Sequence, residues 1–110
     1  MDKDTVAKVV RFLQATLESS GVRVERLVLF GSQAKDCAQP DSDLDVIVVS
    51  PDFRDRDIFQ RAELTAPADR DTIRKFVVPL DLILMSPEEY ESRTSPIAAF
   101  ARESGVSYVP

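Results

Sequence analysis

The sequence predicts an α/β domain, and three observations carry that expectation. Apolar runs of strand type lie at Leu27 to Phe30, Val46 to Val49 and Leu80 to Met85. A helical periodicity runs from Asp4 to Leu17, and helix-start signals stand at Ser86 and at Ser95, with a stop at Gly105. With 110 residues, 44% hydrophobic and 30% charged, the chain has material for one core, so residues 1–110 are expected to form a single domain.

In the first helix Val6, Val9, Val10, Leu13 and Leu17 recur at three- and four-residue spacing and share a face. Asp4 or Thr5 can cap its start and Gly21 can close its end. Val22 and Val24 lead into the first strand, whose run to Phe30 is apolar on both faces and so expects cover on both sides. Gly31-Ser32 ends it, and Gln33 to Cys37 can form a short helix whose first turn offers free N–H groups to an anion. Gln39-Pro40-Asp41-Ser42 is turn chemistry, and a return that short favours adjacent strands. Between Phe53 and Phe76, Ile58, Phe59, Ala62 and Leu64 suggest an amphipathic helix that Pro67 breaks, with Ile73, Phe76 and Val77 on a further apolar face. The alternating charges of Arg54-Asp55-Arg56-Asp57 read as solvated surface. Pro79 opens the strand from Leu80 to Met85. Ser86-Pro87-Glu88-Glu89 is a capping-box start, and after Ser95-Pro96 a last helix is expected to bury Ile97, Phe100 and Ala101. Val106 to Val109 can add an edge strand.

Composition sets limits on function. A net charge of −5 argues against a broad nucleic-acid surface, which needs clustered Lys and Arg. No stretch has the length of a membrane span and the start lacks the form of a secretory signal, so the expected location is the cytoplasm. Cys37 is the sole cysteine and there is no histidine, which excludes an internal disulfide and a zinc site of the usual ligands.

The chemistry is concentrated in acidic residues at strand starts. Asp43 and Asp45, two apart, face the same way in an extended chain. Such a pair shares a proton or takes a cation, and hard oxygen ligands suit magnesium or manganese. Asp81 sits inside Pro79-Leu80-Asp81-Leu82-Ile83-Leu84, where an unpaired carboxylate needs a cation, donors or exposure. If its strand lies beside that of Asp45, three carboxylates converge and can hold two divalent ions. The plainer alternative is that each Asp only starts a strand and faces water. Gly31-Ser32 alone is an ordinary turn and lacks the rest of a Walker loop.

The spacing of Gly31-Ser32, ten residues, Asp43-x-Asp45 and a later strand Asp81 resembles the signature of nucleotidyltransferases of the DNA polymerase beta-like superfamily. The chain is similar above all to the minimal nucleotidyltransferases, often encoded beside a HEPN-type toxin. That resemblance implies a small mixed β-sheet with helices packed against it, the polymerase beta-like palm. It implies that Gly31 and Ser32 hold the nucleotide's terminal phosphates, and that Asp43, Asp45 and Asp81 are catalytic and bind Mg²⁺, two ions, or Mn²⁺. The reaction implied is transfer of AMP from ATP to a hydroxyl of a partner protein, with the HEPN-type toxin as the partner. Many members read Gly-Ser-Arg-Ala-Arg-Gly where this chain has Gly31-Ser32-Gln33-Ala34-Lys35-Asp36, so Lys35 stands in as a point charge for a bidentate arginine. A competing expectation is a non-catalytic antitoxin that neutralises its partner by occupancy. No direct nucleic-acid or membrane binding is expected, and homo- or hetero-oligomers are compatible with either reading.

Overall fold

Asp2, rather than Asp4 or Thr5, starts the first helix: its carboxylate accepts the Thr5 N–H at 2.7 Å, ahead of α1 (Lys3–Ser19). The computed structural model describes residues 2–31 and 43–110. α1 ends at Gly21, whose φ of +91° is a conformation that glycine adopts without strain. Among the described residues there follow β1 (Arg26–Phe30), β2 (Leu44–Val49), a 3-10 turn (Pro51–Phe53), α2 (Ile58–Phe76), β3 (Leu80–Met85), α3 (Pro87–Tyr90), α4 (Pro96–Ser104) and β4 (Val106–Tyr108).

The four strands form one mixed sheet in the order β3-β2-β1-β4. β1 is antiparallel to both β2 and β4, whereas β2 runs parallel to β3 with Asp45 opposite Asp81 and Val49 opposite Met85. Alternation then divides the side chains between two cores. Leu27, Leu29, Leu44, Val46 and Val48 face α1 and α2, where Val9, Val10, Leu13, Leu17 and Ala68 pack against them with Phe53. Val28, Phe30, Ile47, Val49 and Met85 face the other way, onto Tyr90, Ala98 and Ala101 of α3 and α4. The central strands are covered on both sides, as their uninterrupted apolar runs demand.

Three expectations about the helices are corrected. Pro67 does not break a helix: α2 runs unbroken through it, with the exposed ring on the solvent side. Proline forfeits one backbone bond there, but burial of Thr65, Ala68 and Thr72 holds the helix on both sides of it. The face of α2 is also rotated from the expected one, since Ile58 and Phe59 are 72% and 74% exposed. Likewise α4 buries Ala98 and Ala101 and leaves Ile97 and Phe100 partly exposed, because small residues let it approach β1 closely. Gly105 shows how closely, since a Cβ there would stand 2.7 Å from Val28 Cγ1.

Arg61 fixes the position of α2. Its guanidinium donates to the Leu84 carbonyl at 3.1 Å and to Glu89 at 2.7 Å, while Glu89 also caps the Ser86 N–H of α3. Pinned at the C-terminal end of β3, α2 runs antiparallel to that strand and brings its second half to the end where Asp81 lies. Arg61→Ala removes the donor to the part-buried Leu84 carbonyl and the ion pair to the half-exposed Glu89, so urea unfolding is expected to show a loss of about 1 kcal/mol; an unchanged midpoint contradicts the pinning role.

Candidate functional site

The end of β1 and the starts of β2 and β3 lie at one edge of the sheet. Phe30 pairs with Asp45 and Asp45 with Asp81, so the two aspartates are side by side on the α3/α4 face of neighbouring strands, roughly 4.8 Å apart at the backbone. Asp43 stands one residue ahead of β2 and is exposed, as is Asp81, whereas Asp45 is half-buried. The backbone between Asp43 and Asp45 is tied to the chain that precedes Asp81, because the Leu44 N–H donates to the Pro79 carbonyl at 2.8 Å. Among the described residues, no Lys or Arg pairs with any of the three.

Burial first, then the charges of Asp81 and Asp43, pushes the Asp45 carboxyl above the ordinary carboxylate range. The three groups therefore share one electrostatic patch. Among the described residues, no three acidic side chains close into a ring around a cation. The donor set nonetheless fits a hard divalent cation, because Asp45 and Asp81 present carboxylates in register and no basic side chain among the described residues pairs with them. The burial argument that singled out Asp81 in the sequence applies instead to Asp45, since Asp81 is exposed on the outer strand.

Gly31 completes the described part of the site. Its φ is +80°, and a Cβ on it would fall 2.6 Å from Asp45 Oδ2. Only a residue without a side chain lets the chain leave β1 across that carboxylate. Ser32 and Lys35, the other expected phosphate contacts, lie outside the described residues, as does the short helix expected at Gln33 to Cys37. Gly31→Ala is expected to cost about 1–2 kcal/mol through the positive φ alone and to displace Asp45 as well. A variant as stable and as active as the wild type contradicts the close-approach role.

One acidic residue escaped the sequence reading. Asp69 lies on α2 with Oδ1 buried and without a hydrogen-bond partner, and burial first, then the Asp81 charge, pushes its carboxyl upward. Nothing in the sequence marked it, since the buried face of α2 that includes Thr65, four residues earlier, is visible only in the fold. Over the range between the ordinary and the raised value the folded protein keeps a proton that the unfolded chain has released. Stability from this group is thus fully present below the ordinary value and is lost as pH rises through the raised one. The gain in unfolding free energy of Asp69→Asn over wild type is expected to grow with pH across that range in urea titrations, and a difference independent of pH contradicts this.

Comparison with known proteins follows the same lines. A family model described as "Nucleotidyltransferase domain" matches residues 6–106. Among solved structures, a protein from Sulfolobus solfataricus, provisionally assigned as a nucleotidyltransferase, superposes with a TM-score of 0.55 at 17% identity over 98% of this chain and 88% of its own. A structure described as a toxin-antitoxin with AMP-PNP gives a TM-score of 0.59 at 18% identity, over 97% of this chain and 72% of the other. BolA1 from Arabidopsis thaliana gives 0.52 at 19% identity over 81% of this chain and 98% of its own. Likeness at these identities concerns the fold alone. No curated protein matches the sequence.

Proposed function

The chain belongs to the nucleotidyltransferase domain family, and from that premise we propose that it transfers AMP from ATP to a hydroxyl of a partner protein, as the antitoxin paired with a HEPN-type toxin. The observation that carries this reading is the register of β2 and β3, which sets Asp45 beside Asp81 at the edge where Gly31 ends β1. The chemistry there is that of a phosphoryl-transfer site, with hard oxygen donors and a glycine that admits close approach.

In this reading Gly31, with Ser32 and Lys35, holds the terminal phosphates of the nucleotide. Asp43, Asp45 and Asp81 would hold magnesium or manganese. A bound divalent ion supplies charge neutralisation for the leaving pyrophosphate and lowers the pKa of the attacking hydroxyl. The acceptor oxygen forms a bond to the α-phosphorus, the bond from that phosphorus to the bridging oxygen breaks, and pyrophosphate leaves with the electron pair. Asp81 accepts the acceptor's proton. Asp43 and Asp45 orient the triphosphate, and the walls of Phe30 and Ile47 beneath them limit water. The choice of ATP and of a toxin as partner draws support from the structural neighbour that is a toxin-antitoxin with an ATP analogue. No described helix is long and apolar enough to cross a membrane, and we place the reaction in the cytoplasm.

Incubation with α-labelled ATP, magnesium and the protein encoded beside this one tests the reading. Label is expected on that protein, reduced about 100-fold or more in Asp45→Ala, with the complex intact. Protection of the partner without label supports neutralisation by occupancy instead. Asp81→Asn is expected to lower turnover more than nucleotide binding, measured by titration with a fluorescent ATP analogue; equal loss of both contradicts its role as proton acceptor.

A further inference from the structure

The sheet ends in β3 on one side and β4 on the other, and the two edges are unlike. β4 is three residues long and is followed by Val109 and Pro110, so it offers a short template that a proline closes. β3 is six residues long and contains Asp81. Its backbone groups alternate in direction. The Pro79 and Met85 carbonyls accept from the Leu44 and Ser50 N–H groups, which sets the odd-numbered residues of this stretch toward β2. Leu80, Leu82 and Leu84 therefore turn their N–H and C=O groups outward, and Arg61 meets the Leu84 carbonyl there at 3.1 Å. Among the described residues, that is the one hydrogen bond made to the outward row. Leu80 and Leu82 are half-buried and Asp81 is exposed, whereas Val46 to Val49 of β2 are buried.

Such a row recognises an extended backbone that supplies matching donors and acceptors. In an antiparallel addition, the residues opposite Leu80 and Leu82 exchange hydrogen bonds with them. The residue between, opposite Asp81, forms a non-hydrogen-bonded pair with about 4.5 Å between Cα atoms. Opposite residues share a face, so its side chain stands beside the Asp81 carboxylate. That side chain, Asp81 and Asp45 then form one row across three strands. Its two neighbours lie on the other face, beside the apolar Leu80 and Leu82.

We propose that the outer edge of β3 receives the acceptor segment of the partner protein as an added antiparallel strand, with the acceptor hydroxyl on the residue opposite Asp81 and an apolar residue on each side of it. The inference deepens the transfer reading given above and rests on it. Pairing delivers the hydroxyl to the group that accepts its proton, and register selects which hydroxyl of the segment reacts. A second copy of this chain is the competing occupant.

Two peptides test it, Lys-Val-Tyr-Val-Lys and Lys-Val-Ser-Val-Lys, with α-labelled ATP and magnesium. Each is used unmodified, N-methylated on one or the other valine, and N-methylated on the central residue. Label is expected on at least one unmodified peptide, and methylation of either valine should lower its kcat/KM about tenfold or more, the scale of a lost backbone hydrogen bond. Methylation of the central residue, whose N–H points away from β3, should change it by no more than about threefold. Equal losses from all three methyl groups, or none from any, overturn the inference and leave the transfer reading standing. Label on the protein encoded beside this one but on neither peptide does the same. Absence of label on that protein and on both peptides, with ATP bound, overturns both. The Leu82 N–H points outward, so Leu82→Pro spares the ladder to β2. A wild-type dimer in sedimentation equilibrium that this variant dissociates, with the fold kept by circular dichroism, assigns the edge to a second copy and overturns the inference.

Discussion

Two carboxylates of like charge are held in adjacent strands by the sheet itself. The parallel pairing of β2 with β3 sets Asp45 opposite Asp81, and every other pair from Leu44 and Leu80 to Val49 and Met85 is apolar on both sides. A shift of one residue would turn Leu44, Val46 and Val48 away from α1 and α2 and expose the whole core face, so the register is imposed by burial far from the site. The repulsion at its open end is a local cost that the rest of the ladder outweighs. That asymmetry lets the sheet hold two carboxylates side by side at its end.

The helices serve the same arrangement from two sides. α1 and α2 close one face with aliphatic residues, and Arg61 ties α2 to the outer edge of β3 so that this strand keeps its place beside β2. α3 and α4 cover the other face only up to Ile47 and Met85, and the edge with Asp45 and Asp81 is left open to the extent that Asp81 is exposed. Phe30 lies beneath that edge and is 8% exposed, so the carboxylates rest on an apolar floor. Lower effective polarity there strengthens both their repulsion and their attraction for a cation.

Much of this was legible in the sequence because it rests on local rules. Periodicity located α1, the capping box at Ser86 and Glu89 located α3, and the apolar run at Leu80 gave β3 its bounds. The alternation of Asp81, Ile83 and Met85 against Leu80, Leu82 and Leu84 also predicted the face on which Asp81 lies. What failed depends on tertiary packing. Pro67 breaks isolated helices, but here buried residues on either side of it hold the turn together. Ile97 and Phe100 looked like core by hydrophobicity, yet the close approach of α4 to β1 admits only alanine. Asp69 could not be recognised, since an unpartnered carboxylate oxygen is visible only once the fold is in place. The phosphate-binding contacts expected of Ser32 and Lys35 lie outside the described residues.

The central claim is that Asp45 and Asp81 meet in order to share a divalent cation. Manganese binding followed by electron paramagnetic resonance, in the presence of a non-hydrolysable ATP analogue, tests it directly. The account predicts bound manganese in the wild type, weakened in Asp81→Asn and lost in Asp45→Asn while the fold persists by circular dichroism. Equal binding by all three proteins, or none by the wild type, contradicts it.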